Sequence, residues 1–168
     1  MSTSARFVII ARVGVGPTEG QTMLKGLDPL LSPDLLHTLA AMGHGDTIVV
    51  ADANFPAASV AIDTVLGREL RTDADAVEAL RAILSVLPLD SFVPKPVTTM
   101  QVVDDPAAVP PIVAAALPLI EAEGGSVEAV ERFDFYDAAR TAFAVLQTSE
   151  RRLYGNFILK KGVVPPDG

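Results

Sequence analysis

Residues 32–57 read SPDLLHTLAAMGHGDTIVVADANFPA, a run that moves from a helical pattern through a tight connection into a strand. Ser32 can cap a helix, Pro33 suits its first position, and Asp34 favours the positive helix end. Leu35, Leu36, Leu39 and Met42 recur at helical spacing, and Gly43 is placed to end the helix. His44-Gly45-Asp46 is then a tight connection. Thr47–Ala51 is an unbroken apolar run, the pattern of a strand covered on both faces. Asp52 stands where that strand stops, and Asn54-Phe55-Pro56 turns the chain.

The same alternation continues downstream. Asp73 or Asp75 can start a second helix, with Val77, Leu80, Ile83, Leu84 and Leu87 on its apolar side and Pro88-Leu89-Asp90 closing it. Val97–Val103 reads as a strand. Residues 106–123 read as an alanine-rich helix, with Pro110 and Pro111 in its first turn and Pro118 expected to kink or break it. Gly124-Gly125 ends it. A strand over Val127–Arg132, a helix over Phe133–Ala142, a strand over Ala144–Thr148 and a last strand over Asn156–Lys160 follow, before a proline-rich tail. Strands alternating with helices predict a single α/β domain, a central sheet flanked by helices. Residues 1–22 lack this patterning and are expected to be a leader or an over-extended start, with the functional domain spanning 23–168.

Composition narrows the function. Of 168 residues, 49% are apolar and 20% charged, enough for one substantial core. A net charge of -8 repels phosphate backbones and argues against a nucleic-acid partner. No apolar run approaches the roughly 20 residues that span a bilayer, so no membrane partner is expected. The absence of cysteine removes disulfides, thiolate nucleophiles and thiolate metal sites, and suits the cytoplasm. His37 and His44 lack metal-site spacing, no serine sits in a nucleophile elbow, and Gly14-Val15-Gly16 lacks the third glycine of a dinucleotide fingerprint.

The polar residues each carry two readings. His37, inside the first helix, reads as a surface residue. His44, flanked by glycines, serves equally as a turn residue or as a proton donor and acceptor. Asp52, at a strand end where ligands gather in α/β sheets, is equally a turn aspartate. Asp90 reads as a turn residue, Tyr136 as a core aromatic, and Arg132 as a surface ion-pair partner. Tyr154-Gly155-Asn156 is either a plain turn or a sugar platform with a polar hook.

Taken together, MGHGD (42–46), ADANFPA (51–57), LPLD (87–90), ERFDFY (131–136) and YGNFILKKGV (154–163) resemble, in order, the L-fucose mutarotase branch of the fucose mutarotase and ribose pyranase family. The resemblance runs from about Met23 to Val163. It implies His44 as the catalytic proton donor, with Tyr136 and Asp90 assisting proton transfer. It implies Asp52, Arg132, Tyr154 and Asn156 as ligands of the sugar hydroxyls. The ribose branch typically has Gly-His-Thr-Asp and Tyr-Ala-Asn where this chain has Gly-His-Gly-Asp and Tyr-Gly-Asn, which favours fucose.

Such an enzyme is a cytoplasmic isomerase without cofactor or metal. It acts on a monosaccharide, L-fucose first, and assembles into a homo-oligomer with sites near subunit contacts. The alternatives are a D-ribose pyranase, a non-catalytic sugar-binding protein of the same shape, and a structural α/β domain.

Overall fold

The computed structural model describes residues 24–166; the expected leader and the start of the domain at Met23 lie outside them. In chain order the elements are α1 (Pro33–Ala41), β1 (Thr47–Ala51), α2 (Ala57–Ala61), β2 (Glu69–Arg71), α3 (Ala76–Leu84), β3 (Val97–Met100), α4 (Pro111–Ala122), β4 (Val127–Val130), α5 (Arg132–Arg140), β5 (Ala144–Gln147) and β6 (Phe157–Lys160). The strands form one sheet in the order β2-β5-β1-β6-β3-β4. β6 runs antiparallel to both neighbours, β1 and β3, while the other pairings are parallel. The single α/β domain expected from the alternation is the one found.

The burial of β1 explains its apolar run. Ile48 and Val50 face a core with α1, α3 and α4, while Val49 and Ala51 face a second core with α2 and α5. Side chains alternate between the faces of a strand, so a strand covered on both sides must be apolar throughout. β6 repeats this, with Phe157 and Leu159 on the first face and Ile158 on the second. Among the described residues no helix is long and apolar enough to cross a membrane.

Helix boundaries follow their caps. Ser32 Oγ accepts the Leu35 N–H at 3.2 Å. Asp75, not Asp73, caps α3, in a reciprocal box with Glu78. α1 ends with Met42 extended, and Gly43 is not left-handed; the Lys161 amine donates instead to the Leu39 and Met42 carbonyls, the free acceptors of the helix end.

Several expectations need correction. α4 begins at Pro111 and continues through Pro118 unbroken. Pro118 and Ala114, whose carbonyl loses its partner, are both exposed, so water can take that acceptor and the ring meets no core. β3 stops at Met100 and β4 at Val130, where Glu131 turns to cap α5 through the Phe133 N–H. α5 stops at Arg140, two residues short of the expected end. Finally, α2 and β2 give no sequence signal. The first has five residues and no side-chain cap, the second three.

Candidate functional site

The topology sorts the expected site residues into two groups at opposite ends of the sheet. β1 carries His44 just before its first residue and Asp52 just after its last. Five residues at about 3.3 Å each separate those ends by roughly 17 Å. Because β6 is antiparallel to β1, pairing Thr47 with Lys160 and Val50 with Phe157, its start joins the Asp52 end and its finish the His44 end.

At the Asp52 end lies an open cleft lined by Asp52, Asn54, Phe55, Met100, Tyr136, Leu153, Tyr154 and Asn156. Asp52 and Asn156 clasp each other. The Asp52 N–H donates to Asn156 Oδ1 at 3.0 Å, and Asn156 Nδ2 donates to Asp52 Oδ2 at 2.9 Å. Asp52 Oδ1 accepts the Asn54 N–H at 2.9 Å. Both side chains are buried, so the carboxylate is held rigid at the cleft wall, with acceptor capacity left on its oxygens. Tyr154 has a left-handed backbone, φ 64°, costly for a bulky residue. Its hydroxyl accepts the Val103 N–H at 3.1 Å, which leaves its own hydrogen to donate. Phe55 packs against Phe135 edge-on and lies 5.5 Å from the Tyr136 ring. Phe55, Met100 and Leu153 add an apolar surface to a polar cleft, the mixture a sugar requires, with hydroxyls at its rim and C–H groups on its faces.

Arg132 does not line this cleft. It opens α5 at the same end of the sheet, exposed, with its guanidinium 4.7 Å from the Phe133 ring centroid.

At the other end, His44 Nε2 lies 3.2 Å from Asp90 Oδ1. Asp90 Oδ1 also accepts the Phe92 N–H at 3.0 Å. That N–H first, and His44 second, hold the Asp90 carboxyl below the usual carboxylate range despite its desolvation. An ionised carboxylate only accepts hydrogen bonds, so Nε2 carries the proton and Nδ1 is the nitrogen left to exchange one. Gly45, at φ 87°, lets the chain turn here. Gly162 lets the end of β6 close on the 88–90 segment, where a Cβ would collide with the Leu89 carbonyl. Asp46, beside His44, serves the turn by accepting the Gly43 N–H at 2.7 Å.

Sequence reasoning passed over one ionisable residue next to the cleft. Glu150 is buried beside it, its carboxylate accepting the Arg152 N–H, Nε and Nη2 at 2.8, 2.9 and 2.6 Å. It lies just beyond the carboxyl end of β5, and the strand-end rule that singled out Asp52 applies to it equally. The Arg152 side chain foremost, against the cost of burial, lowers the Glu150 pKa from 4.5 to about 2. The unfolded chain therefore binds this proton at higher pH than the folded chain. The stabilisation is complete above pH 4.5 and drains away as pH falls towards 2. At about 1.4 kcal/mol per unit it amounts to about 3 kcal/mol. Urea midpoints measured from pH 6 to 2 should fall more steeply for the wild type than for Glu150→Gln; parallel curves would remove Glu150 from the acid response.

Residues 25–164 match the RbsD / FucU transport protein family. The chain is 45% identical over 147 residues to the fucose mutarotase of Homo sapiens, covering 84% of this chain and 94% of that one. It is similar to the crystal structure of the fucose mutarotase in complex with L-fucose from Streptococcus pneumoniae, with a TM-score of 0.76, 42% identity, and coverage of 84% and 100%. The structure of Bacillus subtilis RbsD complexed with D-ribose is similar in fold, with a TM-score of 0.64, 22% identity, and coverage of 85% and 100%.

Proposed function

The chain belongs to the RbsD / FucU transport protein family, and from that premise we propose that it is an L-fucose mutarotase, an isomerase that exchanges the α and β anomers of the free sugar. The observation that carries this reading is the Asp52–Asn156 clasp in a cleft lined by two tyrosines and by apolar side chains, in a chain 42–45% identical to fucose mutarotases. Identity to the ribose-complexed relative is only 22%, which places a pyranase second.

Mutarotation removes a proton from the anomeric hydroxyl and delivers one to the ring oxygen. The C1–O5 bond breaks, the aldehyde rotates about C1–C2, and the reverse transfers reclose the ring. Asp52 accepts hydrogen bonds from sugar hydroxyls, and Asn156 holds Asp52. Tyr154 donates its hydroxyl hydrogen to a sugar oxygen, while Arg132, exposed outside the cleft at the same end of the sheet, would have to swing from the Phe133 ring to add donors. His44 supplies the proton through Nδ1, Asp90 stabilises the charged imidazole, and Tyr136 assists the second transfer. Each group is asked for a modest share, since every tenfold in rate needs only about 1.4 kcal/mol.

One chain cannot present His44 and Asp52 to the same sugar, because the length of β1 lies between them. The working site therefore belongs to a homo-oligomer, in which the His44–Asp90 pair of one copy faces the cleft of the next. Exposed apolar residues at both ends support this contact: Val103, Phe133 and Leu153 beside the cleft, and Phe92, Val163 and Val164 at the histidine end. A cytoplasmic location is part of the same proposal and is supported by the cysteine-free composition.

Saturation-transfer proton NMR on equilibrated L-fucose tests the function. Irradiating one anomeric proton should deplete the other faster with protein than in buffer, and the effect should be weaker for D-ribose. Buffer rates with both sugars, from a folded sample that binds fucose, would favour the non-catalytic sugar-binding reading.

A further inference from the structure

Glu150 is a buried carboxylate to which the proposed reaction gives no task. It lies where three segments meet. Its carbonyl accepts the Ala53 N–H at 2.8 Å, on the turn that carries Asp52 and Asn54. The preceding Ser149 N–H donates to Ala74 O at 2.9 Å, next to the cap of α3. Its carboxylate closes on Arg152, two residues before Tyr154.

The packing is tight enough to transmit position. A Cβ placed on Gly155 would meet Glu150 Cγ at 2.8 Å and Asp52 Cβ at 3.4 Å. The Glu150 stem therefore lies directly beneath the backbone between Tyr154 and Asn156, and that backbone lies against Asp52. Tyr154 also needs outside support, since its φ of 64° is one a tyrosine does not hold unaided. Asn156 and Asp52 fix the loop after it, the Val103 N–H fixes its hydroxyl, and the Glu150–Arg152 pair fixes the loop before it.

We propose that Glu150 is a positioning residue for the sugar cleft, its carboxylate locking residues 150–156 so that Tyr154 and Asn156 meet the sugar in register with Asp52. This rests on the reading of that cleft as the sugar site. Replacing the carboxylate by an amide loses the charge that holds the Arg152 guanidinium and N–H together. The loop then loosens while the sheet beneath it stays.

A purely structural role would lower the amount of folded protein and hence the apparent kcat, but not KM. Loss of register weakens sugar binding and raises KM. Anomer exchange should therefore be followed over a range of L-fucose concentrations, well below each variant's unfolding midpoint. Four variants serve: Glu150→Gln, Arg152→Gln, Asp52→Asn, and Leu80→Ala as a destabilised control in the core on the other face of the sheet.

Glu150→Gln should raise KM about tenfold, Arg152→Gln less, and Leu80→Ala not at all, while Asp52→Asn loses exchange. A wild-type KM in folded Glu150→Gln, with Asp52→Asn inactive, overturns the positioning role alone. Wild-type exchange in Asp52→Asn overturns the cleft reading itself. If Glu150→Gln does not fold, Arg152→Gln decides, and a wild-type KM there overturns the proposal.

Discussion

His44→Ala will lower anomer exchange by on the order of a hundredfold or more and leave the circular dichroism spectrum unchanged. The size of the effect follows from the reaction. Both steps are proton transfers, and a positioned acid or base commonly contributes 10²–10⁴ to such a step. The unchanged fold follows from the site. The His44 side chain is 48% exposed, and its polar contact is with Asp90. Without the ring, Asp90 keeps the Phe92 N–H, so no buried charge is stranded. The Gly43–Asp46 turn is held by Asp46, not by His44.

Asp90→Asn should cost less, because it spares the imidazole and removes only the carboxylate that orients it. Saturation transfer on L-fucose measures both. Wild-type exchange in folded His44→Ala would remove the histidine from the mechanism.

The parts of this molecule that could be read from its sequence are those in which one local signal decides. The Ser-Pro-Asp start of α1, the apolar run of β1 and the Phe-Ile-Leu of β6 each carry their own reason to be what they are, and the structure places them as expected. α2 and β2 carry none. Five residues without a cap cannot nucleate a helix alone, and Glu-Leu-Arg becomes a strand only because β5 lies beside it. Pro118 misled for a related reason. The rule against proline in a helix weighs a lost hydrogen bond, and at an exposed position water limits that loss.

For the candidate site, the sequence offers candidate residues but not their grouping. Asp52, Tyr136, Tyr154 and Asn156 share one cleft, but nothing local says that His44, eight residues before Asp52, lies at the far end of the sheet. That follows from β1 running straight between them and from β6 returning antiparallel, a long-range fact. Glu150 carries the same strand-end signal as Asp52, but its place beside the cleft depends on the long-range backbone contact of its carbonyl with Ala53.

Mixing two dead proteins will restore activity. His44→Ala lacks the proton donor and Asp52→Asn lacks the carboxylate at the cleft wall, so each alone should show little exchange above buffer. The amide at position 52 is the same size, but it cannot accept from Asn156 Nδ2 through a second carboxylate oxygen while accepting from Asn54. It also offers a sugar hydroxyl fewer acceptors. If each site takes His44 from one copy and Asp52 from the next, a 1:1 co-assembled sample contains sites that inherit the intact residue from both sides. For random assembly about one quarter of the sites are whole, and exchange should recover to roughly that fraction of wild type in a closed homo-oligomer. If instead both residues served one sugar within a single chain, every site would keep one lesion and the mixture would show only the residual rates. The roughly 17 Å set by five strand residues makes the first outcome the expected one. Co-expression of the two variants, with sedimentation to establish that the mixed sample is larger than one chain, measures it. Recovery near a quarter would fix the site at the subunit contact. No recovery from a co-assembled sample would mean that His44 and Asp52 act on one sugar within a single chain, and would overturn the shared site.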